Sequence, residues 1–294
     1  MEKEAFLNLV KTKKDKNLVR LSYYDNDRHD RTKRYFGEAI NKLQEARILV
    51  VGAGAIGNEV IKNLVMLGVK NIILVDHDVV NKSNSNRCVF FREVDHNKIK
   101  KVDAVKLRSK ELTDTINFQT FATKIQEAPE SVWDVDLIII GVDNDYARYF
   151  VNAWLTSTGK LLPVINGAMG KNFIECEVVK PGETACLTCL WQEKFYKTII
   201  NNEVLKSCDE YFFEILPKFP AISTFTSIVA GIMVTEATKI LANQLSAEEG
   251  YLIRLNLENY EYSKGSIMRN PSCVETMCRA GYKDYKAKLL VKKV

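Results

Sequence analysis

Apolar and polar positions fall into alternating blocks from residue 47 onward. RILVVG (Arg47–Gly52), NIILVD (Asn71–Asp76), INFQTFA (Ile116–Ala122), VDLIIIGV (Val135–Val142) and LLPVING (Leu161–Gly167) are short apolar runs of strand length. Between them Asn58–Leu67, Val102–Leu112 and Asn144–Thr158 carry apolar residues at helical spacing. Strands alternating with helices predict crossover connections and a doubly wound, Rossmann-like α/β fold with a mainly parallel sheet. From Asn172 the pattern changes: FIECEVVK alternates with period two, and YLIRLNLENYEYSKGSI reads as one or two further strands, so antiparallel C-terminal strands are expected. Between them lie a long irregular stretch, Lys194–Pro220, and a helix over Ile222–Ala242 whose Ile222, Phe225, Val229, Ile232, Met233 and Ile240 share a stripe.

Upstream, Phe36, Ala39, Ile40 and Leu43 recur at helical spacing within Arg34–Ala46, which predicts an N-terminal helix or helix pair. The expected organisation is therefore an N-terminal helical segment over 1–46 and one large α/β domain over 47–294.

Composition narrows the class. A chain of 294 residues with 46% hydrophobic content can bury a large core. The apolar runs are shorter than a membrane span and Met1–Lys16 is too charged for an export signal, so a soluble, cytoplasmic protein with no membrane partner is expected. The 42 basic residues against 37 acidic ones leave a net charge of +5 that is scattered along the chain, which does not point to nucleic acid. The densest basic run, KTKKDK, reads as a solvated face.

The candidate chemistry begins at Gly52, Gly54 and Gly57, a G-x-G-x-x-G turn between strand and helix where absent side chains let phosphate approach a helix N-terminus. Asp76 ends the next strand, where its carboxylate can accept hydrogen bonds from the ribose of either NAD or ATP. Downstream residues favour a polyphosphate: Asn84, Asn86 and Arg87 lie on the following loop, and Lys100 and Lys101 open the next helix. Asp143, in GVDN, stands at the C-terminal end of a buried strand, where a carboxylate can hold magnesium, although Asp-Asn is also an ordinary helix cap.

Seven cysteines without an export signal argue against a disulfide framework. Cys186 and Cys189 form C-x2-C and Cys273 and Cys278 a wider pair; together they suit four-thiolate, tetrahedral zinc, a structural site that staples the C-terminal strands. Cys88 and Cys176 lie in apolar surroundings and read as small core residues, and His29, His77 and His96 are too dispersed for a metal site or triad.

The stretch ARILVVGAGAIGNEVIKNLVMLGVKNIILVDHDVVNKSNSNR, with GVDN, CLTCL and RNPSC, resembles the ubiquitin-activating-enzyme-like adenylyltransferases of the ThiF, MoeB and HesA group, over about Arg28 to Cys278. The resemblance implies that Gly52, Gly54 and Gly57 cradle ATP, Asp76 binds ribose, Asn84, Arg87 and Lys101 contact phosphates, and Asp143 positions magnesium. The chain has NKIKKV where the family commonly has a lone Lys after Pro, so Lys100 is the alternative to Lys101. An arginine finger reaching into a partner's site falls on Arg28, with Arg31 as its rival, and implies a homodimer; the family's usual surroundings of that arginine are missing here. Cys208 matches the region where some relatives carry a reactive cysteine. The implied reaction is ATP-dependent activation of the C-terminal carboxylate of a small ubiquitin-like or sulfur-carrier protein as an acyl-adenylate, followed in some members by transfer to a cysteine. A peptide-modifying adenylyltransferase of a natural-product pathway, a tRNA-modifying dehydratase of the same superfamily and a non-catalytic scaffold are the alternatives. An NAD oxidoreductase is the least favoured class, because the chain lacks a second catalytic constellation such as a His and Asp pair.

Overall fold

The computed structural model describes residues 27–191, 220–242, 249–275 and 278. The chain divides into two compact units, residues 1–37 and 38–294. In the first, α1 (Asp30–Phe36) is a short helix with Asp30 in its first turn, ion-paired to Arg34 at 3.0 Å, and with Lys33 paired to Asp27 at 2.6 Å. The amphipathic stretch expected over Arg34–Ala46 is a helix pair. Gly37 interrupts it with φ +56°, a left-handed backbone value that glycine adopts without the Cβ clash.

In the second unit, α2 (Ala39–Glu45) buries Ile40 and Leu43 and leads straight into the sheet. The sheet has eight strands in the order β3-β2-β1-β4-β5-β6-β7-β8. The strands are β1 (Arg47–Val51), β2 (Asn71–Val75), β3 (Asn117–Phe121), β4 (Leu137–Ile140), β5 (Val164–Met169), β6 (Phe173–Val179), β7 (Gly250–Asn256) and β8 (Tyr262–Ile267). The pairs from β3 through β5 are parallel, whereas β5 with β6, β6 with β7 and β7 with β8 are antiparallel. The mainly parallel sheet with antiparallel C-terminal strands is thus the observed architecture. YLIRLNLENYEYSKGSI is two strands, joined by a turn in which Tyr260 has φ +58°.

Successive strand residues point to opposite faces, so each buried strand serves two cores. Leu49, Val51, Ile73, Val75, Ile138 and Ile140 pack with Ala147, Val151 and Leu155 of α5 (Asp145–Thr158) and with Trp133. Residues of the other parity, Ile48, Val50, Ile72, Leu74 and Ile139, are equally buried. On the opposite side α3 (Ala55–Leu67) packs against α4 (Lys101–Leu112) and α6 (Ser223–Leu241), and α6 also covers β5 and β6. Strands with both faces covered need apolar residues at every position, which explains the unbroken run LIII in β4.

α6 is long and apolar enough by composition to cross a membrane. Its Val229, Ala230, Met233 and Ala237 are fully buried, so core packing accounts for Val229 and Met233 of the expected stripe, whereas Ile222 is exposed and Phe225, Ile232 and Ile240 are partly buried. The fit is close: a Cβ on Gly167 of β5 would lie 2.3 Å from the Met233 sulfur.

From β1 the chain builds outward to β2 and β3, then crosses to β4 and β5 on the other side. The order therefore reverses between β1 and β4, and the crevice beyond the carboxyl ends of these strands is where open α/β sheets take ligands.

Candidate active site

The turn after β1 opens that crevice. Gly52 has φ +101°, and a Cβ there would lie 2.8 Å from Val142 Cγ1 and 3.0 Å from the Gly141 carbonyl oxygen. Gly57 is tighter still, since its Cβ would approach the Gly52 carbonyl oxygen to 2.0 Å, so the first turn of α3 is seated directly on the loop. A Cβ on Gly54 would meet nothing within 4 Å. Gly54 is the N-cap of α3, and the first amides of a helix have no intrahelical partner, so this open side offers donors and the positive end of a helix dipole to an anion.

Asp76 closes the turn from the β2 side. Its Oδ2 accepts from the Ala53 amide at 2.7 Å and its Oδ1 from the Asp78 amide at 2.8 Å. Each carboxylate oxygen retains acceptor capacity for a ribose hydroxyl. Lys101 reaches back to the same place, its Nζ donating to Asp78 Oδ2 at 2.7 Å with only 12% of the side chain exposed. Burial alone would lower the Lys101 pKa, but Asp76 and Asp78 outweigh it and hold the ammonium above its ordinary value. In return, desolvation would raise Asp78, and the hydrogen bond from Lys101 together with the surrounding positive charge, chiefly that of Lys101, overcomes it, leaving Asp78 below the usual carboxylate range. Lys100 turns elsewhere, donating to the His77 carbonyl at 2.8 Å. Of the two neighbouring lysines, Lys101 is the one set among the carboxylates.

Between β2 and α4 the chain forms a loop closed by an isolated bridge from Val79 to Lys100. Asn84 ends a short 3-10 turn and accepts the Asn81 amide on Oδ1 at 3.0 Å. Arg87 donates to Asn86 Oδ1 at 3.0 Å and to the Ser83 carbonyl. The loop thus delivers Asn84 and a half-buried Arg87 beside the helix that bears Lys101.

At the β4 end the two readings of GVDN separate. Asn144 is the helix cap, its Oδ1 accepting the amides of Tyr146 at 2.8 Å and Ala147 at 3.3 Å. Asp143 precedes the cap and is exposed. Val142, the residue before it, is the neighbour a Gly52 side chain would strike, so Asp143 shares the edge with the glycine turn. Arg148 secures this corner, donating to the Val142 carbonyl at 2.6 Å, the Gly167 carbonyl at 3.1 Å and Asp145 at 2.8 Å.

The four cysteines of the two pairs converge. Cys186 Sγ lies 3.8 Å from Cys189 Sγ and 3.6 Å from Cys273 Sγ, and Cys189 Sγ lies 3.3 Å from Cys278 Sγ. All four sulfurs are within 4.8 Å of one another and none is disulfide-bonded. Tetrahedral zinc with bonds of about 2.3 Å separates its sulfurs by roughly 3.8 Å, so the cluster has the size of a four-thiolate site. The Asn270 amide, 3.5 Å from Cys189 Sγ, and the Thr188 hydroxyl, 3.1 Å from Cys186 Sγ, surround it with the polar contacts that metal thiolates attract. The cluster is anchored to α5, because Asn152 Oδ1 accepts the Leu187 amide at 3.0 Å and the Thr156 hydroxyl donates to Glu275 at 2.7 Å. With Asn144 and Arg148, these residues make a polar stripe along α5 at every fourth position.

Residues 27–275 match the model of the ThiF family. The chain belongs to the ThiF family.

Its similarity to ubiquitin-like modifier-activating enzyme 5 of Caenorhabditis elegans is 26% identity over 265 residues, covering 84% of this chain and 59% of the relative. The NEDD8-activating enzyme E1 catalytic subunit of Schizosaccharomyces pombe is 30% identical over 156 residues, 52% of this chain and 35% of that protein. The chain thus spans less than two thirds of the length of these relatives. Among solved structures, E. coli MccB with ATP superposes with a TM-score of 0.67 at 20% identity, over 86% of this chain and 75% of that one. PaaA superposes with a TM-score of 0.66 at 20% identity, over 90% and 91%.

The ThiF-family glycines, Asp76, Lys101 and Asp143 share one sheet edge, with Asn84 and Arg87 on the loop that runs from it. Arg28 lies in the first unit, exposed just before α1, and Arg31 contacts Asp30 at 3.4 Å. Cys208 lies outside the described residues. Cys88 and Cys176 are buried, and burial raises both thiols, Cys88 to about 11. Sequence reasoning missed Arg148, Asn152 and the fully buried Asn58. The signal available for Arg148 and Asn152 was their spacing of four and eight from the Asn144 cap.

Proposed function

We propose that this ThiF-family chain binds magnesium-ATP at the β1/β4 crevice and uses it to adenylate the C-terminal carboxylate of a small ubiquitin-like or sulfur-carrier protein. The single observation behind this reading is the grouping at one sheet edge of an open helix N-terminus at Gly54, a carboxylate locked to the turn at Asp76, and a largely buried ammonium at Lys101. Similarity to activating enzymes of ubiquitin-like modifiers supports the choice of substrate.

In this reaction a carboxylate oxygen attacks the α-phosphorus, the bond to the oxygen bridging the β-phosphorus breaks, and pyrophosphate departs with that oxygen's electrons. The product is an acyl-adenylate. A carboxyl group is already ionised at neutral pH, so no general base is required. The work is charge stabilisation and alignment. The amides at the start of α3 hold phosphate, Asp76 accepts from ribose, and Asn84, Arg87 and Lys101 counter negative charge as it moves to the leaving group. Magnesium, when bound, would neutralise the triphosphate, with Asp143 as its ligand from this chain.

Arg28 from a second copy of the chain would complete the site and make a homodimer the active form. Cys208 is the proposed acceptor if the adenylate is passed on as a thioester. Zinc is the proposed occupant of Cys186, Cys189, Cys273 and Cys278, in a structural role, since four thiolates leave no open coordination position. A second reading, activation of a peptide rather than a carrier protein, is favoured by the likeness to MccB, a microcin biosynthetic enzyme solved with AMPCPP and MccA. Both readings use the same adenylation edge.

ATP–pyrophosphate exchange with candidate carrier proteins and peptides tests the proposal. Exchange should depend on the acyl substrate, fall by about 100-fold or more in Asp143→Ala, and persist in Cys208→Ala. Exchange undiminished in Asp143→Ala would remove that residue from the machinery.

A further inference from the structure

Asn58 has no exposed surface and stands on α3 among buried Ile56, Val60 and Ile61. A primary amide in such a place is retained only if its donors and acceptor are used. Here they are: Nδ2 donates to the carbonyls of Ala53 at 2.8 Å and Gly54 at 3.1 Å, and Oδ1 accepts the Phe90 amide at 3.0 Å. Reversing the amide would set its oxygen against two carbonyls and its NH2 against an N–H, so the partners fix its orientation.

The contacts continue beyond Phe90. The Phe90 carbonyl accepts from Arg108 of α4 at 3.0 Å, Arg108 donates to Asp95 at 2.8 Å, and Asp95 accepts the Arg92 amide at 2.8 Å. An unbroken hydrogen-bond chain therefore runs from the glycine turn, through Asn58, to the loop that carries Arg87 and on to the helix that carries Lys101. In a trans peptide the C=O and N–H point in opposite directions. Anchoring the Ala53 and Gly54 carbonyls on Asn58 aims the Gly54 and Ala55 amides away from it, toward the open side at Gly54.

We infer that Asn58 is a positioning residue for the nucleotide phosphates. It sets the amides of the glycine turn and the loop that carries Arg87 in register with one another, without itself touching the nucleotide. This rests on the proposal that the crevice takes ATP.

The test is a double-mutant cycle on magnesium-ATP affinity, measured by calorimetry on the full chain for the unsubstituted protein, Asn58→Ala, Arg87→Ala and the pair. Asn58→Ala should weaken binding about tenfold, and adding it to Arg87→Ala should weaken binding by clearly less than that tenfold, because part of its effect acts through the Arg87 loop. If Asn58→Ala does not fold, Asn58→Ser takes its place in the same cycle. Losses that multiply in the double variant, or an Asn58 variant that binds like the unsubstituted protein, overturn the inference while leaving the proposed function standing. An unsubstituted protein that fails to bind magnesium-ATP overturns the proposed function itself.

Discussion

The glycine turn and the cysteine cluster draw on different parts of the amino acid. At Gly52, Gly54 and Gly57 the groups on offer are backbone amides, and the sequence contributes by leaving side chains out. At Cys186, Cys189, Cys273 and Cys278 four side chains supply everything, brought together from two distant segments. The first region holds its shape because α3 and the Asp76 carboxylate fix a local turn. The second depends on the whole C-terminal half of the sheet being in register before its sulfurs can meet. A local site tolerates loss of a distant contact, whereas a site closed over long range stabilises every element between its ends.

That contrast is sharpest at Cys186. With zinc in the cluster as proposed, Cys186→Ser should produce the largest effect: zinc falls to background by elemental analysis and the melting temperature drops by more than for any substitution at the glycine-turn edge. Structural zinc in small domains contributes on the order of 10 kcal/mol of apparent binding free energy, comparable to the whole stability of a typical domain. Full metal loss with an unchanged melting curve would break the comparison, because the cluster would then hold nothing together.

Asn144→Ala sharpens it at the other end. Losing a cap that accepts two amides should cost about 1 kcal/mol, read as a fall of about 2–4 °C in melting temperature. Pyrophosphate exchange should survive far better than in Asp143→Ala, though the two residues are adjacent. Equal losses of activity would mean that cap and carboxylate cannot be separated.

The smallest effect belongs to Asp78, paired with Lys101 but half exposed. Asp78→Asn should cost less than about 1 kcal/mol at neutral pH. The sign follows from the depressed Asp78 pKa. Its contribution is full above the ordinary value of about 3.9 and is lost as pH falls through the lower folded-state value. The Lys101 pKa is raised, so its share is full below about 10.4 and lost as pH rises through the higher folded-state value. The stability gap between Asp78→Asn and the unsubstituted protein should close on acidification below about pH 4; a gap that widens there would contradict the pairing.

What was legible in the sequence follows the same divide. The five parallel strands, the glycine turn and Asp76 show in local pattern, since strand burial and turn sterics act over a few residues. The two cysteine pairs show because their spacing is chemical. Boundaries blurred where a neighbour intervened: α3 starts at Ala55 rather than Asn58 because the glycine turn is itself the helix N-terminus, and β5 runs on to Met169 because β6 pairs with it there. Asn58 was invisible because its partner, the Phe90 amide, is distant in sequence; Arg148 could be placed on the face of the Asn144 cap by its spacing, but not matched to the distant Gly167 carbonyl. A lone polar residue in a helix carries no mark of what it will meet.

The polar stripe on α5 has a mechanical meaning. The thirteen residues from Asn144 to Thr156 span about 18 Å, with a joint to the strand ends at one extremity and to the sulfur cluster at the other. A helix pinned at both extremities behaves as a strut. Whatever loosens the sulfur end withdraws support from the corner that presents Asp143, so that corner, unlike the glycine turn, draws its stiffness from groups far from it.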